Sequence, residues 1–489
     1  MFKQIFLFCL LMLSSSLHSQ KEFDAILNRF KNTQVSFLVA SQKTNEIIAE
    51  HNANLLLNPA SNVKLITTLA ALEILHPEYR FSTEYYTTGP VSSGILRGDL
   101  VVKGYGDPSI TNERLQKVAR QIKLFGVKKI EGSVILDESY FGGETVPKGW
   151  EEEKNNQKLY AASISALSLN HNTMTLAVRP GDVGEMAVVS PDPPADYIKI
   201  SGQIRTVSKG GRPKISISDL GSHMQVSLGG TISSNLPYAE VRKRIYNPPQ
   251  YFESVFSYFL KQEGISIEGK PKSVLGYEKL ILTDKSPILS QIVAETNKTS
   301  SNFMAEMLVK AIAGQVSSPA KFDTGLIEIR KFLENKVGFK KNSFVLANGS
   351  GLGTYNRFSA RQFVMLLGYA SHNFEVCSEF VSSLGVAGTQ GTLSKRMRQE
   401  PTLRSLRAKT GTLTGVSSLS GYVDTQGDDT LIFSILVQGK PRNMGKARWF
   451  EDRIGNFLAK LHTEPSSSIP AEESEDVDDE DGLEELSGG

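Results

Sequence analysis

The sequence predicts an α/β (α+β) fold: one mixed domain of helices and strands, split by a β-rich insertion of about 200 residues. Three observations predict it. Short strands and an apolar helix alternate before residue 83. From about 83 to 282 the chain is rich in alternating strand patterns with Gly and Pro turns. From about 283 helical periodicity returns, closing on a hairpin and a last helix.

Residues 1–19 read as a secretory signal peptide: Met1-Phe2-Lys3-Gln4, nine apolar residues from Ile5 to Leu13, then a Ser-rich end. The apolar stretch is too short to span a bilayer, and no later stretch is long and apolar enough either. Removing it leaves Cys377 as the single cysteine, so no intrachain disulfide can form in the oxidising compartment this export implies. The expectation is a soluble periplasmic protein without a transmembrane anchor. The formal net charge is +2, yet residues 463–489 hold eleven acidic residues and no Lys or Arg, leaving +13 on residues 1–462. That Ser-, Pro-, Glu- and Asp-rich tail is expected to be disordered. The basic body favours anionic polymers or a peripheral association with the envelope. Nucleic acid is excluded by the compartment and by the lack of any recognition motif.

Strands are predicted over 35–40 and 46–50. The next helix carries Val63, Ile66, Ala70 and Ile74 on one stripe. Within the insertion, 197–201 and 214–218 alternate as strands, and one helix interrupts them at 249–263. An amphipathic helix carrying Phe303, Met307, Leu308 and Ile312 stops at Gly314. Strands 417–424 and 430–438 form a hairpin, and a helix covers 445–461. No metal-ligand spacing is present, and no cofactor is implied.

The chemistry starts at Ser61-Asn62-Val63-Lys64, at the mouth of the first helix. Positions i and i+3 share a helix face, so Lys64 can reach the Ser61 hydroxyl. A neutral lysine that takes a serine's proton makes a nucleophile without histidine. The second Ser-x-x-Lys, Ser318-Pro319-Ala320-Lys321, lies in a loop without a helix mouth. Two further motifs follow. Ser300-Ser301-Asn302 opens the helix that stops at Gly314, unlike the Ser-x-Asn decoys at Ser168, Ser233 and Ser371. Lys409-Thr410-Gly411-Thr412 occurs once and leads into a small-residue strand. Three such motifs in this order, each on a plausible element, point to acyl transfer through a serine ester. No Gly-x-Ser-x-Gly elbow is present, which disfavours a histidine triad.

With these residues in view, the chain resembles the low-molecular-mass class C penicillin-binding proteins, the D-alanyl-D-alanine carboxypeptidase/endopeptidase (DacB) family. Further blocks carry the likeness: Gly104-Tyr105-Gly106-Asp107-Pro108, Ser165-Ala166-Leu167-Ser168-Leu169-Asn170, Asn348-Gly349-Ser350-Gly351-Leu352, and Val386-Ala387-Gly388-Thr389-Gln390-Gly391-Thr392-Leu393. The resemblance implies a serine β-lactamase/DD-peptidase-like αβα domain over 20–82 and 283–462. It implies an inserted domain over 83–175 and 246–282, and a second, β-rich one over 176–245. It implies cleavage of peptidoglycan stem peptides and cross-links between D-alanines, and acylation by β-lactams.

By that resemblance Ser61 is the nucleophile, Lys64 its base, Ser300 a proton relay, and Asn302 a partner of Lys64 and of the substrate backbone. Lys409, Thr410, Gly411 and Thr412 bind the substrate's terminal carboxylate, and the backbone N–H groups of Ser61 and Thr412 form the oxyanion hole. A helix N-terminus, a nearby Lys409 ammonium and partial desolvation are expected to keep Lys64 uncharged. Asn348 stands where the family usually has aspartate, and Gly353-Thr354-Tyr355 where an arginine commonly follows, near the expected place of the donor side chain. Asp107 and Asn170 receive no catalytic role. A β-lactamase or esterase with the same motifs is the alternative, disfavoured by the size of the insertion. A non-catalytic peptidoglycan-binding protein is the other.

Overall fold

The structure, a computed structural model, describes residues 33–150, 159–269, 277–440 and 444–461. The predicted signal peptide and the acidic tail lie outside the described residues. Helices and strands mix throughout, as the α+β expectation requires.

Six antiparallel strands form the largest sheet, in the order Gly385–Val386, Leu406–Leu413, Val416–Asp424, Thr430–Gln438, Gln34–Ser41 and Ile47–His51. Side chains alternate between the faces of a strand, and here both faces are covered. On Thr430–Gln438, Leu431, Phe433, Ile435 and Val437 pack on Phe450, Ile454 and Leu458 of the C-terminal helix Met444–Leu458. Ile432 and Leu436 of the same strand join the opposite, helical core. Double-sided burial is why this strand reads as a nearly unbroken apolar run.

The helical layer comprises Val63–Leu75, Leu289–Thr299, Asn302–Gly314, Phe322–Phe332 and Ala360–His372. Val63–Leu75 passes through its middle, and every residue from Val63 to Leu72 is buried. The one-sided stripe expected from Val63, Ile66, Ala70 and Ile74 is therefore corrected, since a helix enclosed on all sides has no solvent face. Ile74 is one of its less buried members. Ser300 also needs correction as a helix start. It ends Leu289–Thr299 with φ +58°, and Ser301 caps the next helix by accepting from the Met304 N–H at 3.2 Å.

The described residues between 82 and 285 form four smaller sheets and two α-helices, Asn112–Leu124 and Pro248–Gln262. The single helix expected in this stretch is thus one short. Asn112–Leu124 buries Leu115, Val118, Ala119 and Ile122, a helical stripe lying among strand-like neighbours. Its Arg114 joins Asp284 and donates to buried Asp107 at 2.9 Å, which ties the helix to the sheet beneath. That gives Asp107 a structural role. The Ser318 loop is exposed, and Lys321 precedes the helix Phe322–Phe332, so this second Ser-x-x-Lys is not built as a site.

Candidate active site

Ser61 lies in a 3-10 turn, Ala60–Asn62, immediately before the buried helix. Ala60 has φ +47°, a left-handed conformation that a side chain occupies only under constraint. The constraint is visible. Asn58 Oδ1 accepts the Ala60 N–H at 2.9 Å, Ser418 donates to Pro59 O at 2.7 Å, and Asn62 donates to Ser420 Oγ at 2.7 Å. The sheet thus grips the turn through Ser418 and Ser420, on the same face of Val416–Asp424 as Tyr422. Small side chains there leave room for the turn, and Gly411 does the same on the neighbouring strand. A Cβ at Gly411 would stand 2.2 Å from Ser418 Oγ and 3.0 Å from the Ser61 nitrogen.

Lys64 is fully buried. Its Nζ lies 3.0 Å from Ser61 Oγ, 2.7 Å from Asn302 Oδ1 and 2.6 Å from Ser350 O. The Asn302 amide is oriented by its other end, which donates to Tyr160 O at 3.1 Å. Asn302 Oδ1 and Ser350 O can only accept, so they take two N–H bonds of the amine. On a neutral amine the third direction is the lone pair, and it points at the Ser61 hydroxyl. Lys64 is held well below the usual amine range, first by burial and then by the Lys409 ammonium, with Glu306 opposing.

Lys409 is also buried. It donates to Ser300 Oγ and to Thr410 O, each at 2.8 Å, and burial pushes its amine down to about 7. Thr410 Oγ1 donates to Thr392 Oγ1 at 2.7 Å. The strand Gly385–Val386 pairs only with Arg407 and Ala408, so from Lys409 onward no strand covers this edge among the described residues. Thr412 is exposed on that open edge, paired on its other side with Ser417. Ser61, Lys64, Ser300, Asn302, Lys409, Thr410 and Gly411 therefore converge, with Thr412 at the rim.

Three contributors escaped the sequence reading. Ser350 supplies the second obligate acceptor of Lys64, through its carbonyl oxygen. Glu306, one turn beyond Asn302, accepts the Gly349 and Ser350 N–H groups at 3.1 and 2.8 Å while fully buried. A single acid inside the apolar run 303–313 was the available signal. Thr392 meets Thr410 from the loop after Val386. Asn348 holds its own loop together. It is fully buried, donates to Lys148 O and Leu352 O at 2.9 and 2.8 Å, and accepts from Gly351 and Asn356. Among the described residues no group of His, Cys, Asp and Glu is placed to hold a metal, and no helix is long and apolar enough to cross a membrane.

Known proteins match this chain along nearly its whole length. The D-Ala-D-Ala carboxypeptidase 3 (S13) family matches residues 20–461. The D-alanyl-D-alanine carboxypeptidase of Actinomadura sp. (strain R39) is 30% identical over 441 residues, covering 86% of this chain and 81% of that protein. The D-alanyl-D-alanine carboxypeptidase DacB of Haemophilus influenzae is 26% identical over 424 residues, covering 84% and 86%. Among solved structures, penicillin binding protein 4 (dacB) from H. influenzae shares the fold with a TM-score of 0.73 at 23% identity, covering 88% of this chain and 97% of that one. The predatory endopeptidase Bd0816 of Bdellovibrio bacteriovorus shares it at 0.53 and 17%, covering 89% and 98%.

Proposed function

The chain belongs to the D-Ala-D-Ala carboxypeptidase 3 (S13) family, and from that premise we propose that Ser61 attacks the carbonyl between two D-alanines of a peptidoglycan stem peptide. Lys64 takes the hydroxyl proton as the Ser61 oxygen bonds to the carbonyl carbon. The backbone N–H groups of Ser61 and Thr412 receive the oxyanion, a stabilisation of about 3–4 kcal/mol per donor. Ser300, linked to Lys409, relays the proton that Lys64 took on to the departing amine, so D-alanine leaves and Lys64 is neutral again. Water then enters and gives a proton to Lys64 as its oxygen bonds to the acyl carbon, and Lys64 returns that proton to the Ser61 oxygen as the ester breaks.

Lys409, Thr410 and Thr412 hold the substrate's terminal carboxylate by charge-assisted hydrogen bonds. Where the leaving amine belongs to a neighbouring stem, the same steps open a D-alanyl cross-link, so both carboxypeptidase and endopeptidase action follow from one acyl-enzyme. A β-lactam presents a strained amide and a carboxylate at matching places and acylates Ser61. The H. influenzae relative has been crystallised with a β-lactam. Peptidoglycan places the enzyme at the envelope, in the periplasm.

The observation that carries this reading is Lys64 Nζ at 3.0 Å from Ser61 Oγ, with its other two bonds spent on obligate acceptors. The test is fluorescent-penicillin labelling of wild type and Ser61→Ala, with mass spectrometry of digested muropeptides. Loss of label and of D-alanine release in the variant is expected; unchanged labelling sinks the reading.

A further inference from the structure

Both obligate acceptors of the Lys64 amine trace back to one face of one helix. Asn302 and Glu306, four residues apart on Asn302–Gly314, share that face. Asn302 meets Lys64 directly, at 2.7 Å. Glu306 reaches the loop opposite, where its Oε2 accepts the Gly349 N–H at 3.1 Å and its Oε1 the Ser350 N–H at 2.8 Å. The far side of that peptide is fixed too, because Thr67, one turn beyond Lys64, donates to Gly349 O at 2.7 Å. The loop is wedged as well as bonded. A Cβ at Gly349 would stand 2.4 Å from Val309 Cγ2, and one at Gly351 would stand 1.9 Å from Ala60 O.

Glu306 has no exposed surface, so water does not share its load. The two N–H donors reach different oxygens of this side chain, Gly349 at Oε2 and Ser350 at Oε1, and a carboxylate offers an acceptor at both. The charged groups facing Lys64 are Lys409 and Glu306, and the one facing Glu306 is Lys64. An ionised Glu306 therefore makes the buried trio neutral when a single ammonium is shared between the two lysines, and buried charge is tolerated only when balanced.

We infer that Glu306 is a positioning residue for the Lys64 base: its carboxylate clamps the Gly349-Ser350 peptide so that the Ser350 carbonyl meets the Lys64 amine, and its charge sets how readily that amine carries a proton. The inference rests on the reading of Ser61 and Lys64 as nucleophile and base.

The experiment is the second-order rate of acylation by a fluorescent penicillin, from about pH 5 to about pH 10, for wild type, Glu306→Gln, Glu306→Asp and Ser61→Ala, with the melting temperature of each. Glutamine keeps the size but faces one backbone N–H with its own N–H. It also removes the charge that favours the Lys64 ammonium. The plateau rate is expected to fall about tenfold or more, and the acid limb to move about one unit to lower pH. Aspartate keeps the charge but withdraws the oxygens, so its limb stays at the wild-type pH while the plateau falls.

A Glu306→Gln limb that coincides with wild type overturns the inference, whatever the rate, because a purely structural role lowers the plateau without moving the limb. If the glutamine variant does not fold, Glu306→Asp decides: wild-type acylation, or a plateau that falls only together with the melting temperature, overturns the inference, and a lowered plateau with both limb and melting temperature unmoved upholds it. Ser61→Ala that still labels overturns the nucleophile and this inference together. Ser61→Ala that fails to label, beside an unmoved Glu306→Gln limb, overturns this inference alone.

Discussion

Lys409 Nζ donates to Ser300 Oγ at 2.8 Å, which links the lysine of the strand edge to a hydroxyl held out by left-handed backbone at φ +58°. Ser300→Ala keeps the backbone and removes the hydroxyl proposed to pass a proton to the leaving amine. Turnover of a D-Ala-D-Ala peptide is expected to fall about 10²-fold or more. Steady-state kinetics check it, beside a urea midpoint that changes by about 1 kcal/mol or less.

The same lysine sets an alkaline limit. Burial lowers its amine to about 7, so as pH rises through that value the free enzyme loses the ammonium proposed to hold the carboxylate. For a carboxylate-ending peptide, kcat/KM should decline above about 7. An ester substrate lacking the terminal carboxylate should keep its rate over the same range. Equal decline for both assigns the limb to another group.

Gly411→Ala tests the grip of the sheet on the nucleophile turn. The new methyl carbon would lie 2.2 Å from Ser418 Oγ, 2.8 Å from Pro59 O and 3.0 Å from the Ser61 nitrogen. Something must move, and the turn carrying Ser61 moves with it. A displacement of about 1 Å costs about 10²-fold in rate, and overpacking costs about 1–3 kcal/mol in stability. Penicillin acylation rates and thermal unfolding report the two effects separately.

Asn348→Asp should be unfavourable here. The Asn348 amide donates to two carbonyls, Lys148 O and Leu352 O, and a carboxylate cannot donate. The expected loss is about 2–3 kcal/mol of folding stability, measured by urea denaturation. A wild-type midpoint refutes the assignment of this residue to holding the loop.

Arg114→Met isolates a structural ion cluster from the chemistry. It strands the fully buried carboxylate of Asp107 beside Asp284, with an expected destabilisation of about 3–5 kcal/mol. Acylation per folded molecule should be unchanged. A selective loss of acylation, with stability retained, would reassign Asp107 to the site.

Legibility in the sequence followed the range of the interactions. Motif spacing exposed Ser61, Lys64, Ser300, Asn302 and Lys409, because each sits on a local element whose pattern the neighbouring residues reveal. The closing hairpin was equally plain, since Val416–Asp424 and Thr430–Gln438 alternate around a polar turn. The burial of Val63–Leu75 on every side was hidden, as local periodicity cannot tell how many neighbours surround a helix. Ser300 looked like a helix start because a left-handed turn between two helices leaves little trace in a serine pair. Ser350 and Glu306 act through a carbonyl and two backbone amides, and backbone groups carry no sequence signature. The helix Asn112–Leu124 did show its stripe, but the strand texture on either side masked it.

The sheet pairs Gln34–Ser41 with Thr430–Gln438, and Ser418 bonds Pro59 across 359 positions. Chain order therefore imposes a schedule on maturation. The stretch between Ser82 and Lys285 has partners of its own and can collapse early, whereas the first strand waits for one of the last. Loop closure over such a span is slow and comes late. Under the proposed export, a polypeptide still threading through a channel thus keeps Ser61 and Lys64 apart from Lys409, and becomes reactive only after the strand carrying Lys409 has crossed and paired.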